Sequence, residues 1–202
     1  MTNCMFVWRS DCDALAVSPE ADAWLSEHLG TEARLVHMPA DSHRPVDPDY
    51  AVRADDEVSL ADGYPLLLAS EPSLADLNGR MAAPLPMDRF RPSLVVSGAP
   101  AWAEDGWRRL RVGEAVLRVV KPCGRCVTTT VDQETAARGK EPLTTLARFR
   151  RHPERGTVCF GWNLIPETTG TLRVGDRVEV LEEGPAPGFG PGPGSSAAAG
   201  PA

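Results

Sequence analysis

Two cysteines three positions apart, Cys123 and Cys126, sit in the segment Lys-Pro-Cys-Gly-Arg-Cys-Val-Thr-Thr-Thr-Val-Asp over residues 121–132. A thiolate, not a thiol, is the nucleophile or metal ligand, and a neighbouring cation such as Arg125 favours the charged form. Three chemistries compete for this pattern. A structural zinc site needs four donors, and Cys-x2-Cys supplies half of them; His152 and Cys159 do not form a second pair. A thioredoxin-type redox pair opens a helix after a strand, yet Val-Thr-Thr-Thr-Val is β-branched and disfavours a helix. The third chemistry is a single thiolate bound to a soft transition metal, with Cys123 as a structural neighbour.

The surrounding elements must position these sulfurs. Strands are predicted at Met5 to Trp8, Arg34 to Met38, Tyr64 to Ala69, Leu94 to Ser97, Arg108 to Val112 and Val116 to Val120, with a Gly113-Glu114 hairpin between the last two. Thr128 to Val131 is β-prone, and Thr157 to Phe160, Thr171 to Val174 and Arg177 to Leu181 complete the strand pattern. Ser18 and Pro19 start a helix to Leu29. Ser70-Glu-Pro-Ser-Leu opens another, with Leu74, Leu77 and Met81 at helical spacing. Pro142 begins a third helix to about Arg151, where Arg148, Arg150, Arg151 and His152 read as its solvated end. Short strands with interspersed helices predict a mainly β, α+β fold, an irregular β-barrel with peripheral helices. The organisation expected is a linking region over 1–48, a main domain over 49–182 and a disordered Gly/Pro/Ala tail over 183–202, whose composition offers too little apolar surface to offset its ordering entropy.

Composition sets the outer limits. The 21 basic and 28 acidic residues give a net charge of −7, which argues against nucleic acid as the main partner. The first residues lack a charged n-region followed by an apolar stretch, so no signal peptide is read there. The longest apolar run, Tyr64 to Ala69, is far short of the roughly 20 residues that span a bilayer. A cytoplasmic location without membrane contact is therefore the expectation. In that compartment the five cysteines are not expected to form disulfides, and Cys4, Cys12 and Cys159 read as packed or incidental thiols.

The cysteine segment resembles the signature of the MOSC domain family, close to the branch of the mitochondrial amidoxime reducing component and its bacterial relatives. Further segments resemble that branch in the same order: Ser-Leu-Ala-Asp-Leu-Asn at 73–78, Arg-Phe-Arg-Pro at 89–92 and Ala-Glu-Asp-Gly-Trp at 103–107, then Lys-Glu-Pro-Leu-Thr-Thr-Leu at 140–146, Phe160-Gly161 and Val174-Gly-Asp. The resemblance covers roughly residues 5–182. It implies that Cys126 is the thiolate ligand of a molybdenum cofactor and that Asp62 is an acidic residue near the metal, able to take up a proton. It places Arg91, Ser93, Arg125, Thr128 and Thr129 at the cofactor, with Ser93 where the family usually has Asn. It also implies that Met5-Phe-Val-Trp is the last strand of a β-rich domain that is otherwise missing.

The activity implied is reduction of N-hydroxylated compounds by a molybdenum-dependent oxidoreductase, with electrons from a separate redox protein. No flavin, haem or iron–sulfur motif is read in the chain. Pyridoxal phosphate, linked to the family through fused sulfurases, is not expected, because no lysine stands in a recognisable Schiff-base context. Two other functions remain open at this point: a sulfur or cofactor carrier using a persulfide on Cys126, and an inactive truncated fragment.

Overall fold

Apolar alternation through Trp107–Val112 and Ala115–Gly124 folds as a long hairpin, and the rest of the larger unit is built onto it. The computed structural model describes residues 2–7 and 10–190. Two units divide the chain, 1–65 and 66–202.

In the first unit, β1 (Thr2–Val7) and β2 (Ser10–Ala16) pair antiparallel, and β3 (Val36–His37) joins the other side of β2. The sequence predicted one strand where a hairpin forms; Trp8, at its predicted end, lies outside the described residues. Between β2 and β3, α1 (Pro19–Leu29) starts where predicted. Ser18 Oγ accepts from the Ala21 amide at 3.1 Å, Pro19 fills the first turn, and Gly30 ends the helix in the left-handed region. The polar stretch that follows is looped and tied down by Arg44, which is 3% exposed. Its guanidinium donates to the carbonyls of Ser59 and Asp62 at 2.8 Å each, and to that of Ala61.

The second unit is a six-stranded mixed sheet in the order β5-β4-β8-β7-β6-β9. Its strands are β4 (Leu66–Ser70), β5 (Leu94–Val96), β6 (Trp107–Val112), β7 (Ala115–Gly124), β8 (Cys159–Pro166) and β9 (Val178–Glu183). Only β4 and β5 are parallel; the other ladders are antiparallel. The α2 helix (Glu71–Gly79) and a single turn, α3 (Leu143–Leu146), lie outside the strands. The fold is α+β, a curved half-barrel, as the strand and helix pattern predicted. Leu68, Leu110, Leu117 and Leu164 are fully buried in the main core. A second cluster of Leu77, Phe90, Leu146 and Phe160 packs beside it.

The pairing of β7 with β8 is interrupted twice, between Val119 and Lys121 and between Pro122 and Gly124. Pro122 has no amide to contribute, and such irregularities bend a strand and re-aim its side chains. They fall where β7 delivers the cysteine segment. On β8, Gly161 has φ +76°, and a Cβ there would meet the Leu68 carbonyl at 2.5 Å. β8 therefore passes close to β4 only because residue 161 is glycine.

Further local predictions differ from the structure. Thr128 to Val131 is not a strand but lies largely in a 3-10 turn, Val127–Thr130. No strand forms over 171–174. The helix from Pro142 stops at Leu146, and Arg150 is not a solvated helix end but 5% exposed. Its guanidinium pairs with both oxygens of Asp105, at 2.5 and 2.8 Å. Trp162 Nε1 donates to the same carboxylate at 3.0 Å. The guanidinium also lies 4.2 Å from the Trp102 ring centroid and 3.9 Å from that of Phe189. A continued helix would carry Arg150 away from these partners.

The Gly/Pro/Ala segment expected to be disordered from residue 183 is bonded to the unit as far as Gly190. The Gly184 amide donates to the Gly106 carbonyl at 2.8 Å, and Gly190 exchanges backbone hydrogen bonds with Arg151 at 3.1 and 3.2 Å. Residues 191–202 lie outside the described residues.

Glu104 is 1% exposed, and its two oxygens make no well-formed hydrogen bond. Burial pushes its carboxyl above the ordinary range, outweighing the Ser73 hydroxyl and the charge of Arg150. A raised pKa in the folded state means stability is fullest below the unfolded value and declines as pH rises toward the folded one. Glu104→Gln removes that ionisation. Its melting temperature is expected to exceed that of the parent by a few degrees at pH 8, and to match it near pH 4. Thermal unfolding followed by circular dichroism at the two pH values checks this.

Candidate functional site

β7 ends at Gly124, and the chain turns there because the Arg125 amide donates to the Val158 carbonyl at 2.7 Å. Cys126 then caps the 3-10 turn Val127–Thr130. Its carbonyl accepts from the Thr129 amide at 3.2 Å and the Thr129 hydroxyl at 2.9 Å, and the Thr130 hydroxyl donates to the Val127 carbonyl at 2.7 Å. Threonine hydroxyls that bond backward in this way compete with ladder formation. This explains why a β-prone run closes into a turn.

The turn presents Cys126 to solvent, with Thr128 also exposed. Cys126 Sγ and Thr128 Oγ1 are 3.3 Å apart. The Thr128 hydroxyl and amide pull the Cys126 thiol below the ordinary thiol range, and the charge of Arg125 contributes less. The cation expected to activate the sulfur is therefore the smaller influence. Arg125 is tied elsewhere: Nη1 donates to Cys123 Sγ at 2.9 Å and Nη2 to the Phe90 carbonyl at 2.6 Å. The two sulfurs are unequal, one exposed beside a hydroxyl, the other against a guanidinium.

Thr128→Val leaves the turn's backbone bonds intact but removes the hydroxyl donor to the thiolate. The pH midpoint of Cys126 alkylation by iodoacetamide should move up, and the rate at pH 7 should fall severalfold. Site-resolved mass spectrometry reads both.

The second wall comes from the 3-10 turn Met87–Phe90, which ends with Arg91 in the left-handed region at φ 52°. Arg91 is exposed, whereas Arg89 is 7% exposed. Arg89 Nη2 pairs with Asp132 Oδ2 at 2.6 Å, and Nη1 reaches the Thr129 carbonyl at 3.5 Å. Asp132 is held down to about 2, first by the Thr135 hydroxyl and amide and then by Arg89. The Arg89–Asp132 pair joins the two turns, and sequence reasoning assigned it no role. The available signal was that each residue closes or opens a quoted motif, Asp132 the cysteine segment and Arg89 the Arg-Phe-Arg-Pro run. Phe90 anchors this wall, its ring 4.0 Å from that of Phe160.

The structure thus brings Arg91, Arg125, Cys126, Thr128 and Thr129 into one neighbourhood through Phe90 and the paired turns. Thr129 is buried, and its hydroxyl is used within the turn. Ser93 stands at the start of β5, where its amide and hydroxyl bond the Leu67 carbonyl and amide at 2.8 and 3.2 Å. Asp62 belongs to the first unit, on the loop held by Arg44. A cleft of about 1020 Å³ opens beside Trp107, Val112, Val178 and β5. Of the expected site residues only Ser93 lines it, so its size does not locate the chemistry.

Among the described residues no three His, Cys, Asp or Glu side chains come together to hold a metal. The turn after Cys126 is one 3-10 turn rather than a helix. The zinc and thioredoxin patterns therefore lack their structural counterparts in the described residues, and among those residues one thiol, that of Cys126, is exposed. The other thiols fit their expected roles: Cys12 and Cys159 are buried, and burial pushes the Cys159 thiol up. The side chain of Cys4 is outside the described residues.

Residues 55–179 match the family model described as the MOSC domain. The chain is 38% identical over 179 residues to mitochondrial amidoxime-reducing component 1 of Danio rerio, covering 85% of this chain and 55% of that protein. It is 37% identical over 171 residues to the Homo sapiens component 1, covering 78% of this chain and 50% of that protein. For the Homo sapiens component 2 the identity is 37% over 171 residues, with 79% and 50% covered. The chain spans about half the length of the curated relatives it matches. Among solved structures, YiiM from Geobacillus stearothermophilus aligns with a TM-score of 0.43 and 13% identity over 59% of this chain and 55% of that chain.

These relatives are named as mitochondrial components, which overturns the cytoplasmic expectation. That expectation rested on the want of a secretory signal, and such a signal does not bear on import into organelles. No helix among the described residues is long and apolar enough to cross a membrane. By the family match over most of the second unit, and by relatives more than a third identical along most of its length, this chain belongs to the MOSC domain family.

Proposed function

We propose that the chain is a molybdenum-cofactor oxidoreductase acting on N-hydroxylated compounds, with Cys126 as its protein ligand to the metal. The observation that carries this reading is the Cys126 thiol, exposed, drawn toward the thiolate by Thr128 and held at the end of β7. One soft anionic donor suits a metal whose remaining ligands come from a non-protein group. The residues present fit such a group. Arg89 and Arg125 each keep a buried Nε without a hydrogen-bond partner, and Arg91 is exposed beside them. Guanidinium groups suit a phosphate or a pterin edge.

When bound, the cofactor supplies the two-electron chemistry that removes oxygen from nitrogen. The protein's part is to bind and orient. Cys126 would hold the metal, and Arg91 and Arg125 would meet the anionic parts of the cofactor; Thr128 stands beside Cys126, whereas the Thr129 hydroxyl is used within the turn and Ser93 is bonded to Leu67 before β5. The resemblance also implies a proton-handling carboxylate, Asp62, which stands on the loop clamped by Arg44 in the first unit. Electrons come from a separate redox protein.

The relatives' printed names support the substrate class, since they describe amidoxime reduction. The test is to isolate the protein from a cofactor-replete host, quantify molybdenum, and measure benzamidoxime reduction with a chemical reductant. Near-stoichiometric metal and turnover are expected. Protein free of metal overturns the reading, and a persulfide on Cys126 in place of cofactor favours a sulfur carrier instead.

A further inference from the structure

Residues 184–190 lie beyond the 55–179 span that matches the family, and their composition gives no reason for order. They are nonetheless fixed to the second unit. At one end the Gly184 amide bonds the Gly106 carbonyl, and the Arg108 guanidinium donates to the Pro185 carbonyl. At the other, the Phe189 ring stacks on the Arg150 guanidinium, already held by Asp105, and meets the His152 ring edge to face at 5.9 Å.

The contacts of Gly190 run on toward the site. Gly190 bridges Arg151, and Arg151 bridges Val158 across the 151–158 hairpin. The Val158 carbonyl accepts from the Arg125 amide at 2.7 Å. The same hairpin places Thr157 under Gly124, where a Cβ would sit 3.5 Å from the threonine side chain. Four short lengths of backbone are therefore stitched side by side: the C-terminal segment, the two arms of the hairpin, and the residue before Cys126.

We propose that residues 184–190 are a clamp for the cysteine loop, with Phe189 as its anchor and Arg125 as the residue through which it acts. In a set of single bridges each link is held by the next, and the outermost segment limits how often the inner ones open. Phe189 touches no reacting group, so it is a positioning residue. The clamp concerns the loop of the proposed metal ligand, but its existence does not depend on the metal. The experiment therefore reads the loop and not turnover, and it fails or succeeds separately from the oxidoreductase reading.

Amide hydrogen exchange is measured on the full chain, on chains ending at Gly190 and at Glu183, and on Phe189→Ala and Phe189→Trp. The chain ending at Gly190 and Phe189→Trp should behave as the parent. In the chain ending at Glu183 and in Phe189→Ala, the Arg125 amide should exchange about tenfold faster while the Leu117 and Leu164 amides keep their protection. Cys126 should be alkylated faster in parallel. Unchanged exchange at Arg125 in Phe189→Ala, with Arg151 alone speeding up, overturns the proposal. If the shortest chain loses protection throughout, Phe189→Ala decides, and a uniform loss there also overturns it.

Discussion

Cys126→Ser is expected to retain less than about a tenth of the parent's molybdenum and to lose benzamidoxime reduction by at least about a thousandfold, because a hydroxyl is a hard, protonated donor where a soft thiolate is required. Serine keeps the size of the side chain and a polar contact with Thr128, so the 3-10 turn should survive. The control is Cys123→Ser. Cys123 faces the Arg125 guanidinium, and its loss should weaken the loop without removing the metal ligand. Metal analysis and turnover on both variants separate the two sulfurs. A Cys126→Ser protein that keeps metal and activity would sink the assignment of the ligand.

Asp105→Ala should be the most damaging single change to stability in the second unit. It leaves the Arg150 charge 5% exposed and without its carboxylate, and Trp162 Nε1 without an acceptor. Breaking a buried pair from one side costs about 3–5 kcal/mol. For a chain of this size that corresponds to a melting temperature lower by roughly 10 °C. Arg150→Met exposes the opposite fault, a buried carboxylate facing only an indole. The double variant Asp105→Ala/Arg150→Met should recover part of the loss, since both charges leave together. Thermal melts of the three variants measure the coupling; additive losses would mean the pair is not a unit.

Much of the second unit was legible because its strands bury alternating or continuous apolar residues, and period is a strong signal. β4, β6 and β7 follow from it, as does α1 from Ser18 and Pro19. The cysteine segment was legible as chemistry through residue type and spacing. What the sequence hid was long-range pairing. Nothing local distinguishes Arg150 from its neighbours Arg148 and Arg151, because its partner lies 45 positions away. The Thr128 run carries strand propensity, and only the hydroxyl bonds back to Cys126 and Val127 convert it into a turn. The ordered segment to Gly190 defied its composition, because one aromatic side chain found a charged surface already in place. Arg89 and Asp132 likewise gain their role only when two distant turns meet.

β9 ends the six-stranded sheet, and it carries Glu179, Glu182 and Glu183. A sheet edge with open amides and carbonyls is a template for a second chain. Two copies meeting along this strand would set carboxylates against carboxylates, and like charges directly opposed disfavour pairing. Arg111 pairs with Glu179, and Arg109 faces Glu182 across the ladder. Edge-to-edge addition of a second copy is thus opposed by the side chains of the strand itself.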